Sequence, residues 1–262
     1  MEQENFLDTV DLKFSASFDK IRKVKDRTPC PSCHVQRLWY CYDCAFAIGH
    51  EPPKPNHRLP ITMHIVRHNS EKASKSSIIP LKLTYPDDAK LYTFTQPDRF
   101  DKSKTEGTID PPLPDLDWSR VAIIFPGKDA KTVDEGPDEL WAPTSPTCIQ
   151  HVVLIDSTWS TALQVIGKSP QLRQVPHMIK LASTNKTIFW RHQRIGRECL
   201  ATCEAIYVLL REVWNKVESA PYDRRYDDVL FYYIYIHELV NDRYKDGKRH
   251  RGHLPDYAVD PK

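Results

Sequence analysis

Apolar residues along this chain fall into short β-branched runs separated by longer polar stretches. Runs at 59–66, 78–84, 121–125, 152–155 and 177–181 read as strands, with 186–190 as a sixth. A helical segment, 160–167, follows the fourth run directly. Two longer segments carry a helical period. In 198–217, Leu200, Cys203, Tyr207, Leu210 and Trp214 form one apolar face, and in 226–244 Leu230, Tyr233, His237 and Val240 form another. Strands separated by helices predict an α/β fold with a mostly parallel sheet. Tyr232, Tyr233 and Tyr235 are assigned to the core, as are Cys199 and Cys203. The aromatic last helix suits the core of a monomer, which is slightly favoured, and the oligomeric state stays open.

The polar stretches set the organisation. Residues 1–24 read as an arm or short amphipathic helix, and 25–57 as a cysteine module. Residues 58–245 form the main domain, with proline-rich, acidic insertions near 85–119 and 128–147. A basic tail follows at 246–262. No internal repeat is present.

Composition narrows the class. The 262 residues are 40% hydrophobic and 27% charged, ordinary for a soluble globular protein. No apolar run approaches the ~20 residues of a membrane span, so no membrane partner is expected. The first twenty residues mix acids and bases, unlike a secretory signal. Net charge is only +2, so a nucleic-acid surface has to be a local patch. With eight glycines and no Gly-x-Gly-x-x-Gly, a dinucleotide-type loop is absent.

Four of the seven cysteines lie within fifteen residues. Cys30-Pro31-Ser32-Cys33 and Cys41-Tyr42-Asp43-Cys44 form two Cys-x-x-Cys knuckles. Zinc takes four soft ligands in a tetrahedron, and two such hairpins supply them. Four protein ligands leave no open position, so the expected zinc is structural. His34, His50 and His57 lie nearby and are read as bystanders. The odd count and the clustering suit a reducing, intracellular compartment. Lys23, Lys25, Arg27 and Arg37, with Trp39 and Tyr40, suit contact with single-stranded RNA. A solvated rim around a small core fits the same residues equally well.

Asp156-Ser157-Thr158-Trp159 stands directly after the run 152–155 and before the helical segment. It therefore occupies the carboxyl end of a buried strand, where ligands bind in open α/β sheets. Asp156 either acts on a ligand or caps the following helix. Thr158 caps or touches a ligand, and Trp159 stacks on a ring or packs in the core. Ser157 lacks a Gly-x-Ser-x-Gly elbow, which argues against a serine hydrolase.

Together with Ala162, this stretch resembles the Asp-x-Thr-Trp-x-x-Ala signature of the DTW-domain proteins. Other blocks match in order. His68-Asn69-Ser70-Glu71 and Lys75-Ser76-Ser77 resemble a His-x-x-Glu and Lys-Ser/Thr segment. Ile123-Ile124-Phe125-Pro126-Gly127 resembles the strand and turn before the signature. Phe189-Trp190-Arg191-His192-Gln193 and Leu200-Ala201-Thr202-Cys203-Glu204-Ala205 resemble later blocks. The resemblance covers residues 29–244. The chain departs from the pattern at Ala201 and Cys203, where members often carry Ser and Ile or Leu. Without that hydroxyl, one side-chain hydrogen bond of the pattern is not expected here.

The resemblance implies a SPOUT-like α/β fold whose S-adenosylmethionine lies in a knotted crevice of backbone loops. It implies transfer of the 3-amino-3-carboxypropyl group to N3 of a tRNA uridine, with methylthioadenosine released. Tyr226-Asp227-Asp228 and the Phe-Trp-Arg-His-Gln form point to a branch acting in the D-loop, at position 20. A nuclear location is implied, with the cytoplasm as the alternative. The implied catalytic residues are Asp156, Thr158 and Trp159. Cofactor contacts fall to Phe125, Pro126, Gly127, Asp156, Trp159, Leu200 and Thr202. RNA contacts fall to His68, Lys75, Arg191, His192 and Arg194. The sulfonium already activates the γ-carbon, so the protein has chiefly to align cofactor and base. A base near N3–H contributes ~10²–10⁴-fold, and Asp156 is the favoured one, or else it holds the cofactor ammonium. Two other functions use the same features: a SPOUT-type RNA methyltransferase, and a non-catalytic zinc-containing RNA adaptor.

Overall fold

The computed structural model describes residues 11–97, 100, 103, 105–182, 187–189 and 199–245. The chain opens with α1 (Asp19–Arg22) and four two-residue strands: β1 (Thr28–Pro29), β2 (Gln36–Arg37), β3 (Tyr40–Cys41) and β4 (Phe46–Ala47). Then come β5 (Thr62–His68), α2 (Ile79–Thr84), β6 (Ala89–Thr95), β7 (Thr108–Asp110) and β8 (Val121–Ile124). The rest is β9 (His151–Asp156), α3 (Trp159–Lys168), β10 (His177–Ile179), α4 (Thr202–Val217) and α5 (Phe231–Lys245).

β1 pairs with β2 and β3 with β4, giving two small antiparallel hairpins. The later strands form one six-stranded sheet in the order β10-β8-β9-β5-β6-β7. All its neighbours run parallel except β7, which pairs antiparallel with β6 at the edge. β5 leads through α2 to β6 on one side. β9 leads through α3 to β10 on the other. The direction of winding therefore reverses between β9 and β5, and ligands in open α/β sheets bind outside the carboxyl strand ends at such a point.

Strand alternation builds a core on each face of the sheet. Met63, Ile65, Ala122, Val152 and Leu154 pack with Leu81 of α2 and with Ile206, Tyr207, Leu209 and Leu210 of α4. Val66, Ile123 and Val153 pack on the opposite side with Ala162 and Val165 of α3. Each fully buried aliphatic side chain contributes roughly 1.5–3 kcal/mol against exposure.

Four expectations are corrected. Residues 78–84 form α2, not a strand. A short apolar run does not separate the two by period, and Pro80, just inside the start, suits a helix. The crossover between parallel β5 and β6 also demands a connection of this kind. Residues 85–119 are no mere surface insertion, because β6 lies inside the sheet between β5 and β7, with Ala89, Tyr92 and Phe94 buried. Thr187 to Phe189 form no strand; Lys186 and Trp190 lie outside the described residues. The arm is not loose over its described part. Phe14 meets Phe231 edge-on at 5.5 Å and Phe18 meets it tilted at 4.8 Å, and the Lys13 and Ser15 N–H groups donate to Asp227 and Asp228. Tyr232, Tyr233 and Tyr235 of α5 are buried within this chain, as expected, and Phe231 is buried beside them.

Candidate active site and metal centre

β9 ends on Asp156, which is buried. Ser76 Oγ donates to one carboxylate oxygen at 2.6 Å, and Thr202 Oγ1 to the other at 3.1 Å. The carboxylate thus joins three segments: the turn before α2, the end of β9 and the first turn of α4. Burial raises its pKa above the ordinary 3.8, while the two hydroxyls and the nearby Arg67 oppose the rise. A raised carboxyl pKa makes a stronger base, a property typical of functional sites. Capping of α3 is not its role: the N-cap is Thr158, and both Asp156 oxygens bond elsewhere. Thr158 makes no side-chain cap either; its Oγ1 lies 2.8 Å from Thr161 Oγ1. The Trp159 backbone opens α3, and its side chain lies outside the described residues.

A cleft of about 410 Å³ opens at the carboxyl ends of β8, β9 and β10. That volume falls within the range of small-molecule sites. Phe125, Pro126, Leu154, Leu181 and Leu200 give it apolar walls, while Ser157, Lys180 and Thr202 place polar groups in it. Ala162 and Ala205, at the starts of α3 and α4, keep the lining small on both sides. Of the expected cofactor residues, Phe125, Pro126, Leu200 and Thr202 line the cleft. Asp156 sits behind Thr202 and is not part of the wall. Gly127 is not part of it either. A Cβ there would lie 2.3 Å from Met178 Sδ, so the Met178 side chain packs where a larger residue's Cβ would be and would have to shift to admit one. Ile124, Leu154, Ile155, Ile179, Lys180 and Leu181 line it without having been expected to, and their positions at or near strand ends were the available signal. Cys199, expected in the core, is half-buried and lines the cleft too.

Ala201, where the family pattern has a hydroxyl, is the N-cap of α4. Its N–H donates to the buried Glu204 carboxylate at 2.6 Å, one half of a capping box. A hydroxyl from outside the helix takes a neighbouring free donor of the first turn: the Cys203 N–H, at the second helical position, donates to Ser77 Oγ at 3.4 Å.

The remaining predicted residues separate. His68 ends β5 and is buried. Its Nδ1 accepts the Ser70 N–H at 3.1 Å, and burial lowers its pKa. Glu71 donates its own N–H to the His68 carbonyl in a turn. Lys75 is exposed and closes a 3-10 turn, Ala73–Lys75. Arg191, His192 and Arg194 lie outside the described residues.

The four sulfurs of Cys30, Cys33, Cys41 and Cys44 all lie within 4.8 Å of one another. Tetrahedral zinc with thiolates at about 2.3 Å requires sulfur–sulfur edges of roughly 3.8 Å. The donor set and its spacing fit that ion. Both knuckles turn alike, because the residue after each second cysteine, His34 or Ala45, has a positive φ of 58° or 48°. His50 is not a ligand; its ring bonds the Ile48 carbonyl and the Tyr232 hydroxyl, fastening the module to α5. Trp39 and Tyr40 make further edge contacts with Tyr235 and Tyr232.

The DTW domain family matches residues 29–241. The curated protein tRNA-uridine aminocarboxypropyltransferase 1 of Mus musculus is 30% identical, over 91% of this chain and 86% of its own length. Its namesakes from Xenopus laevis and Homo sapiens are 27% and 25% identical, over 86% and 91% of this chain and 84% and 86% of their own. No solved structure matches the chain. Among the described residues no helix is long and apolar enough to cross a membrane.

Proposed function

The chain belongs to the DTW domain family, and we propose that it is a tRNA-uridine aminocarboxypropyltransferase. It transfers the 3-amino-3-carboxypropyl group of S-adenosylmethionine to N3 of a uridine in the tRNA D-loop, at position 20. The products are the acp3U-containing tRNA and methylthioadenosine. The observation that carries this reading is the likeness to relatives of that name over most of both chains, with the signature carboxylate buried beside a ligand-sized cleft.

The donor supplies a γ-carbon already activated by its sulfonium. Asp156 takes the N3 proton; the N3–Cγ bond forms as Cγ–S breaks, and sulfur leaves with the electron pair. Thr202 both lines the cleft and bonds Asp156, so the donor site and the base share one hydroxyl. Phe125, Pro126 and Leu200 enclose the donor's apolar parts. Lys75, Arg191, His192 and Arg194 contact the RNA, whereas His68, expected among them, is buried and serves the turn after β5; the four cysteines hold a structural zinc. The fold is SPOUT-like with a knotted cofactor crevice; the winding reversal beside β9 and the cleft walled by strand-end loops support this. The protein works in the nucleus.

The test uses donor labelled either on the carboxyl carbon or on the methyl group, with a full-length tRNA transcript. Carboxyl label is expected in tRNA and methyl label in the released nucleoside. Transfer of methyl label alone would sink the proposal in favour of a methyltransferase. Binding of tRNA with neither label transferred and no donor affinity would leave an adaptor.

A further inference from the structure

We propose that Arg67 is a further catalytic residue, whose guanidinium binds a carbonyl oxygen of the target uracil and stabilises the anion left when N3 gives up its proton. This inference rests on the transferase reading above.

Arg67 and Asp156 are register partners on the adjacent parallel strands β5 and β9. Register partners project to the same face of a sheet. Met63 and Ile65, on Arg67's side of β5, share one core with Val152 and Leu154, on Asp156's side of β9. Both residues stand at the carboxyl ends of the two strands between which the winding reverses. Arg67 is therefore a cation that the fold places beside the base.

Among the described residues its charge is not locked in an ion pair with the base. The hydrogen bonds to Asp156 come from two neutral hydroxyls, Ser76 and Thr202. Among the described residues Arg67 forms no ion pair. It is half-buried, neither enclosed in the core nor fully exposed.

The reaction requires such a group. When the N3 proton moves to Asp156, the negative charge moves with the electron pair onto N3, O2 and O4 of the uracil. N3 then forms the bond to Cγ, and sulfur departs with the pair from Cγ–S. Arg67 keeps its own proton throughout. It faces a carboxylate before the proton transfer and a uracil anion after it, so charge balance around it is preserved. An arginine suits this role because it stays charged and presents planar donors to carbonyl oxygens. Removing one such preorganised donor typically costs about 10²–10³ in rate.

The test compares wild type, Arg67→Gln and Arg67→Lys in single-turnover transfer of carboxyl label. The tRNA carries uridine or 5-fluorouridine at the modified position. Fluorine acidifies N3, so its anion needs less help from the protein. On uridine, Arg67→Gln is expected to lose about 10²-fold and Arg67→Lys about tenfold or less. Donor affinity by calorimetry stays within about twofold for both, since the loss belongs to the transition state. On 5-fluorouridine the Gln variant recovers about tenfold or more, while wild type gains much less. The proposal is overturned if Arg67→Gln keeps the wild-type rate or if its loss appears as weaker donor binding. It is equally overturned if the fluorinated base speeds variant and wild type by the same factor. Failure of the transferase reading itself is seen separately, as absence of carboxyl label in tRNA with the wild-type protein.

Discussion

Replacing Asp156 by Asn changes one oxygen for an amide and leaves the shape of the site. One of the Ser76 and Thr202 hydroxyls keeps donating, and the other turns to accept, so the joint between β9, α2 and α4 holds. What disappears is the base. A positioned base contributes about 10²–10⁴-fold, or about 3–5 kcal/mol of barrier at 1.36 kcal/mol per decade. Single-turnover transfer of carboxyl label at pH 7.5 is expected to fall by that factor, with donor affinity nearly unchanged. Stability should move the other way. Burial is the largest cause of the raised Asp156 pKa, so the folded chain holds this proton more tightly than the unfolded chain. Stability therefore falls as pH climbs from the ordinary value, 3.8, through the raised one, and a constant penalty remains above it. The Asn variant escapes that penalty. Its melting temperature at neutral pH is expected to equal or exceed the wild type's, with the gap closing toward pH 4. An Asn variant that transfers within about tenfold of wild type would refute the base assignment. Lost donor affinity with an intact chemical step would instead make Asp156 the holder of the donor ammonium.

The wild-type rate should rise with pH through the raised Asp156 pKa, so its acid limb lies above the ordinary carboxylate range; a pH series of single turnovers measures it. Elemental analysis should find one zinc per chain, lost in Cys41→Ser together with a clear drop in melting temperature; a variant that melts like wild type would detach the cysteine cluster from stability. Gly127→Ala forces a methyl onto Met178 and should destabilise by about 1 kcal/mol, since the thioether can partly adapt; Met178→Ala should relieve it in urea unfolding. Ser77→Ala should cost about 0.5–1 kcal/mol by uncapping α4, and less in an Ala201→Ser background, where the helix regains its own cap; an additive double-mutant cycle would refute the exchange of caps.

Most of the α/β plan was legible because a buried parallel strand writes itself as a β-branched run, as at Val121 to Ile124 and His151 to Asp156. The cysteine knuckles were legible because ligand spacing along the chain is itself the geometry of the site. Two elements were misread for local reasons. In α2 an Ile-Ile-Pro run looks like a strand over so few residues. In β6 the alternation Leu91-Tyr92-Thr93-Phe94-Thr95 was obscured by the prolines and acids around it.

The contacts of the site are of another kind. By itself the sequence determined that Asp156 ends a buried strand ahead of a helix, since both facts depend only on neighbours along the chain. The tertiary structure alone decided that Ser76, eighty residues earlier, and Thr202, forty-six later, hydrogen-bond that carboxylate, and that Arg67 stands level with it. Likewise Ser77 replaces the cap that Ala201 lacks. Periodicity reports which face of an element is buried. It carries no record of strand register or of which distant segment meets a helix end, because packing between elements sets both.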